Sequence, residues 1–128
     1  MKKLFFISIM FMSILFLSAC GNENAKKVTC KMNSTGDILP EIVVTLNSNE
    51  KVSEIEIHTV YKNEENAKSD FNSFKSIQGD NAVLDKNVII VKNVHDENTF
   101  FGKQYSKTVG YTINEFQDFI GKDTYTCK

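Results

Sequence analysis

Two histidines, three cysteines and one aromatic-rich stretch are the residues of this 128-residue chain whose chemistry could be put to use. His58 follows Glu54 and Glu56 at two-residue spacing, which on an extended strand turns all three side chains to one side. Such a trio could gather a cation or pass a proton between imidazole and carboxylate. A solvent-exposed strand face explains the same pattern without any chemistry, and it is the preferred reading. His95 opens the run His95-Asp96-Glu97-Asn98-Thr99-Phe100-Phe101-Gly102-Lys103-Gln104-Tyr105. Acidic and amide oxygens there stand beside three aromatics, in a loop long enough to be functional. Phe100, Phe101 and Tyr105 are therefore candidate anchors for a ligand or partner, since aromatics are enriched where binding energy concentrates. Packing of Phe100 and Phe101 onto the core accounts for that pair as well, and is preferred for it. The histidines are not at metal-ligand spacing. No GxSxG, HExxH, P-loop, GxGxxG or EF-hand pattern occurs, so no catalytic residue, metal or cofactor is expected.

The third kind of chemistry lies at the start of the chain. Lys2 and Lys3 precede an apolar run from Leu4 to Leu17 relieved only by Ser8 and Ser13, and small residues then lead to Cys20. That order is the order of a secretory signal peptide, and the run is shorter than the ~20 apolar residues a spanning helix needs. Leu17-Ser18-Ala19-Cys20 closely resembles the bacterial lipobox. The resemblance implies a signal peptide over residues 1–19, cleavage before Cys20, and a diacylglycerol on the Cys20 sulfur. Two acyl chains give lasting attachment where one is marginal. The expected location is thus the cell membrane, lipid-anchored on the extracytoplasmic side. An uncleaved N-terminal anchor with Cys20 as bystander is the alternative.

With Cys20 assigned to lipid, Cys30 and Cys127 remain, near the two ends of the exported part. Disulfides persist outside the cytosol, so a Cys30–Cys127 bridge is expected, with two buried free thiols as the alternative. The spacing makes neither a CxxC pair nor a zinc pattern.

Composition narrows the partners. The formal net charge of -1 becomes -3 once Lys2 and Lys3 are removed with the signal, which gives no electrostatic reason to expect nucleic acid. All fifteen basic residues are Lys. A site built on bidentate phosphate or carboxylate recognition is disfavoured accordingly, because Lys offers a point charge. The Lys- and Asn-rich composition without Arg resembles that of low-GC Gram-positive proteins.

The elements that must position these residues follow from periodicity. Residues 20–27 read as a polar tether and 28–128 as a single α+β domain. Val28, Cys30 and Met32 alternate as a first strand, with a loop from Asn33 to Pro40. Ile42, Val44 and Leu46 mark a second, and Asn47-Ser48-Asn49-Glu50 a turn into a third, from Lys51 to Tyr61. Asn63 is a fitting N-cap for a helix with Ala67, Phe71, Phe74 and Ile77 on its inner face and Gly79 at its end. Ala82–Leu84 and Val88–Val94 form a strand pair turning at Asp85-Lys86-Asn87, with Val88–Val91 expected to be covered on both faces. His95 to Gln104 reads as an irregular loop and Tyr105 to Tyr111 as a weak strand. Thr112-Ile113-Asn114-Glu115 is a capping box for a second helix, with Tyr111 and Phe116 as its staple. Ile113, Phe116, Phe119 and Ile120 are its apolar face, Gly121 its stop, and Asp123 to Cys127 the last strand. Strands joined by tight turns, with two helices between, predict a mainly antiparallel sheet with both helices packed on it.

The lipobox, the size and the strand–turn–strand–helix order from Ile42 to Ile77 resemble the small Gram-positive lipoproteins grouped as YehR-like. That family has no assigned activity, so the resemblance implies a fold and brings across no catalytic residue. Three functional classes follow. The leading one is a non-enzymatic surface module that binds an envelope protein or small ligand. The second is an envelope hydrolase or metal-dependent enzyme using His58 or His95, which would need a cleft converging His95 with Asp96 or Glu97. The third is a structural or inhibitory module.

Overall fold

The computed structural model describes residues 25–128; the expected signal peptide and Cys20 lie outside the described residues. Six strands form one sheet: β1 (Lys26–Met32), β2 (Ile38–Leu46), β3 (Val52–Tyr61), β4 (Ala82–Asp85), β5 (Val88–Val91) and β6 (Tyr125–Cys127). Their order across the sheet is β4-β5-β3-β2-β1-β6, and every neighbouring pair is antiparallel. Between them lie the helix α1 (Glu64–Gln78), a four-residue helix α2 (Gly102–Tyr105) and the helix α3 (Ile113–Ile120). The chain is α+β, as the alternation of strand and helix patterns predicts. Among the described residues no helix is long and apolar enough to cross a membrane.

The pairing register sorts the side chains onto two faces. Val28, Cys30, Ile42, Val44, Ile55, Ile57, Ile89 and Val91 share one face by direct cross-strand partnership. Phe116 of α3 joins the core formed by Val28, Cys30, Ile42 and Val44, while Ala67 of α1 packs with Tyr61 and Ile89. Both helices therefore cover the same face, α3 toward β6 and α1 toward β4, β5 and β3. The opposite face carries Thr29, Lys31, Val43, Glu56, His58 and Ile90, and none of its residues is fully buried. A one-sided antiparallel sheet is the arrangement that alternating strands favour. The apolar run Val88–Val91 was expected to be covered on both sides. It lies second from the edge, with Ile89 and Val91 buried and Val88 and Ile90 half-buried on the open face.

The predicted punctuation holds at the helices. Asn63 accepts from the Asn66 N–H at 2.9 Å, and the capping box is complete, Glu115 N–H to Thr112 Oγ1 at 3.2 Å and Thr112 N–H to Glu115 Oε1 at 3.1 Å. The Gly79 and Gly121 backbones take φ of 59° and 104° and donate back to Lys75 and Gln117. That left-handed region is where glycine ends a helix without strain from a Cβ.

Several boundaries differ from expectation: β5 stops at Val91 rather than Val94, β6 starts at Tyr125 rather than Asp123, and α2 begins inside the expected His95–Gln104 loop. β1 begins two residues inside the expected tether, because β2 is long enough to pair Lys26 with Leu46 and Lys27 with Thr45. β2 includes Pro40, which pairs with Thr59 of β3 but lies beyond the last β1 partner, Glu41, so its missing N–H leaves no gap in a ladder. The positive φ in the β2–β3 turn falls on Glu50 rather than an Asn, while Asn47 Oδ1 accepts from Asn49 and Lys51. Finally, Tyr105 to Tyr111 is not a strand. It is the end of α2, a 3₁₀ turn over Ser106–Thr108 and a turn at Gly110, held by the Thr108 hydroxyl on the Tyr105 carbonyl at 2.7 Å. Only its end pairs, with Gly110 and Tyr111 bonded to Val52.

Cys30 and Cys127 are joined by a disulfide across β1 and β6. Thr29 and Lys128 next to them exchange both backbone hydrogen bonds, so the cysteines occupy the intervening non-hydrogen-bonded position, where opposed side chains stand closest.

Candidate functional site

The aromatic loop is built on a rigid base. Val94, fully buried, donates its N–H to the Ile55 carbonyl at 3.1 Å, and Ile55 donates its own N–H to His95 Nδ1 at 3.0 Å. A backbone N–H can only donate, so Nδ1 is the unprotonated nitrogen of His95. Asp96 Oδ1 then accepts from the Asn98 backbone at 3.0 Å, an Asx turn. Thr99 closes the loop by donating its hydroxyl to the Asp96 carbonyl at 2.7 Å and accepting the Gly102 N–H at 3.1 Å. Gly102 is buried against that same Asp96 carbonyl so closely that a Cβ there would collide with it.

This base divides the three candidate aromatics. Tyr105 packs into the core and meets Phe119 edge-on at 5.8 Å between ring centroids. Burial, and secondarily the nearby Tyr125, raises the Tyr105 phenol above its ordinary range. Phe101 is half-buried and also packs on the core. Phe100 is the exception: it is 63% exposed and stands edge-on to Phe101 at 5.3 Å. The preferred expectation of core packing holds for Phe101 and fails for Phe100, which projects into solvent.

Phe100 and Phe101 form one wall of an apolar groove of 150 Å³, and Ser73, Phe74, Ile77 and Gln78 of α1 form the other. Ile77 was expected on the inner face of α1, but it is 59% exposed while Gln78 is buried. The helical wheel contains the reason: at about 100° per residue, position 78 returns to within about 20° of position 67, whereas 77 lies about 80° away. The steps from Ala67 through Phe71 and Phe74 therefore continue to Gln78, which leaves Ile77 free to join the groove. That signal is present in the spacing and is outweighed there by side-chain type. Phe74 lines the groove and touches the core at once.

The histidines are elsewhere. His58 Nε2 and Glu56 Oε1 are 3.0 Å apart on the open sheet face, and Glu41, the cross-strand neighbour of His58, pairs with Lys31 at 3.7 Å. His95 is occupied by Ile55, and neither imidazole lines the groove. Among the described residues no three His, Cys, Asp or Glu side chains group as metal ligands would. A larger hollow of 360 Å³ at the β1–β6 edge is walled by Thr29, Lys31, Thr126 and Lys128, whose side chains bring neither an aromatic anchor nor a carboxylate.

No protein-family model matches the chain, and no curated protein or solved structure matches it. The groove is therefore read on its own chemistry. It offers apolar contact with few polar groups to fix orientation.

Proposed function

We propose that the chain is an extracytoplasmic lipoprotein, anchored through lipid on Cys20, that acts by binding rather than by catalysis. The contact surface in this reading is the groove between α1 and the His95–Tyr105 loop. The observation that carries it is the pairing of Phe100 and Ile77, the two most exposed large hydrophobic side chains among the described residues, on opposite walls of one groove. Leaving such side chains in water forgoes favourable burial, and adjacent exposure of this kind marks interaction surfaces. The rigid base beneath the loop supports the same reading, because a pre-ordered anchor loses little freedom on binding.

Two measurements test it. Mass spectrometry of the protein isolated from membranes should give a chain starting at Cys20 and carrying acyl mass, and Cys20→Ser should abolish both. A photo-crosslinking phenylalanine analogue at position 100 should form adducts in living cells far more efficiently than the same analogue at Ile38, which is also exposed but lies outside the groove. Equal labelling at both sites would remove the groove from the proposal.

A further inference from the structure

The groove lies at the end of the domain from which the anchor leaves. Lys26 pairs with Leu46 and so marks the sheet end that holds the Asn47–Lys51 turn. The segments bearing exposed apolar groups join β3 close to that end: Gly110 and Tyr111 bond to Val52, Val94 and His95 bond to Ile55, and Lys92 bonds to Asn81 just after α1. Val52 and Ile55 are three residues apart, about 10 Å along a strand. Three of the five exposed large hydrophobics, Ile77, Phe100 and Val109, belong to these segments. The opposite end carries Asp37, the α1 N-terminus with Glu64 and Glu65, and the Asp85–Val88 turn.

From Cys20 to Lys26 the chain has six peptide steps, which reach at most about 21 Å. A lipid on Cys20 therefore confines this end of the domain to the membrane surface. We infer that the groove's occupant is the interfacial zone of the bilayer itself, with Phe100 and Ile77 set among the headgroups beside the anchor. The inference rests on the lipid-anchor reading and names the partner of the same site. Aromatic rings favour this depth, and apolar side chains on a membrane-facing surface sink about 5–10 Å into it. Lys26, Lys27, Lys51, Lys92, Lys103 and Lys107 share that end with Glu50, Asp80, Asp96, Glu97 and Glu115. The charges are mixed, so apolar insertion supplies the attraction and anionic lipid contributes little. The consequence is an oriented domain, with its strands rising from the membrane surface rather than tumbling on a loose tether.

The chain has no Trp, so a Phe100→Trp variant carries a single indole reporter. The acylated full-length product, purified from membranes, would be placed in phosphatidylcholine vesicles with or without phosphatidylglycerol. Its emission should move to shorter wavelength and be quenched roughly twofold by brominated acyl chains, as for a ring held at the headgroup boundary. The result should be the same in both vesicle types. Ile77→Trp should behave alike, while Ile38→Trp, at the other end of the sheet, should respond to neither lipid. Acylated protein in which the indole stays in water, whether it replaces Phe100 or Ile77, overturns the inference while leaving the anchor intact. Crosslinks from position 100 to a protein instead of lipid overturn it as well. If the mass spectrum has no acyl group on Cys20, both readings fall, and the mass identifies which failure occurred.

Discussion

Tyr61 carries a role that its strand pattern alone does not express. It is buried between β3 and α1, and its hydroxyl donates to Asp70 Oδ2 at 2.9 Å. Burial first, then the hydrogen bond and charge of Asp70, push its phenol up to about 12. An unfolded chain ionises tyrosine near pH 10, so the folded state gains fully from the neutral phenol below pH 10 and loses that gain as pH rises toward about 12. Urea midpoints followed from pH 9 to 12 should fall across that window, and Asp70→Asn should move the fall to lower pH. The two neighbouring phenylalanines separate at the same scale. Phe101→Ser should cost about 1–3 kcal/mol, because the side chain packs on the core, whereas Phe100→Ser should stay within about 0.5 kcal/mol. Equal losses in urea denaturation would mean that Phe100 is held by the fold after all.

At the scale of elements, the loop from Lys92 to Tyr105 behaves as a built object. Its hydrogen bonds run from Asn93 through Asp96 and Thr99 to Gly102, and it is fixed to β3 by His95. Gly102 is the closest approach in it, so Gly102→Ala must displace the Asp96 carbonyl. The expected cost is about 1–3 kcal/mol, the usual range for forcing a methyl group into a filled site. Amide exchange should quicken from Val94 to Thr99 in that variant while α3 stays protected. Uniform quickening would assign the loop to the global unfolding unit instead.

At the scale of the whole molecule, β6 is a three-residue edge strand that joins the sheet only through β1. The disulfide ties that edge across a separation of 97 residues. Removing it with Cys30→Ala and Cys127→Ala should lower stability by about 2–5 kcal/mol, since a long closed loop restricts the unfolded chain most. The native sheet order should survive, because Ile42, Val44, Ile55 and Phe116 remain packed without it. Thermal unfolding under oxidising and reducing conditions measures the difference directly. A negligible difference would mean that the unfolded chain is already compact.

Spacing by itself determined most of the elements and their caps: the period-two strands, Asn63 and Thr112 as helix starts, Gly79 and Gly121 as stops, and two cysteines free to pair. These are local properties, set by which side chains fall on one face and which backbone groups need a partner within a few residues. Tertiary structure alone decided which aromatic of the His95–Tyr105 run faces outward, that β5 is covered on one side, and that Tyr105 to Tyr111 coils rather than extends. Each depends on hydrogen bonds and contacts from residues distant in the chain, such as Ile55 to His95 or Val52 to Gly110, which no local period records. The groove belongs to both levels. Its two walls were each legible as apolar residues, but their meeting is a property of how α1 and the loop are carried by the same sheet.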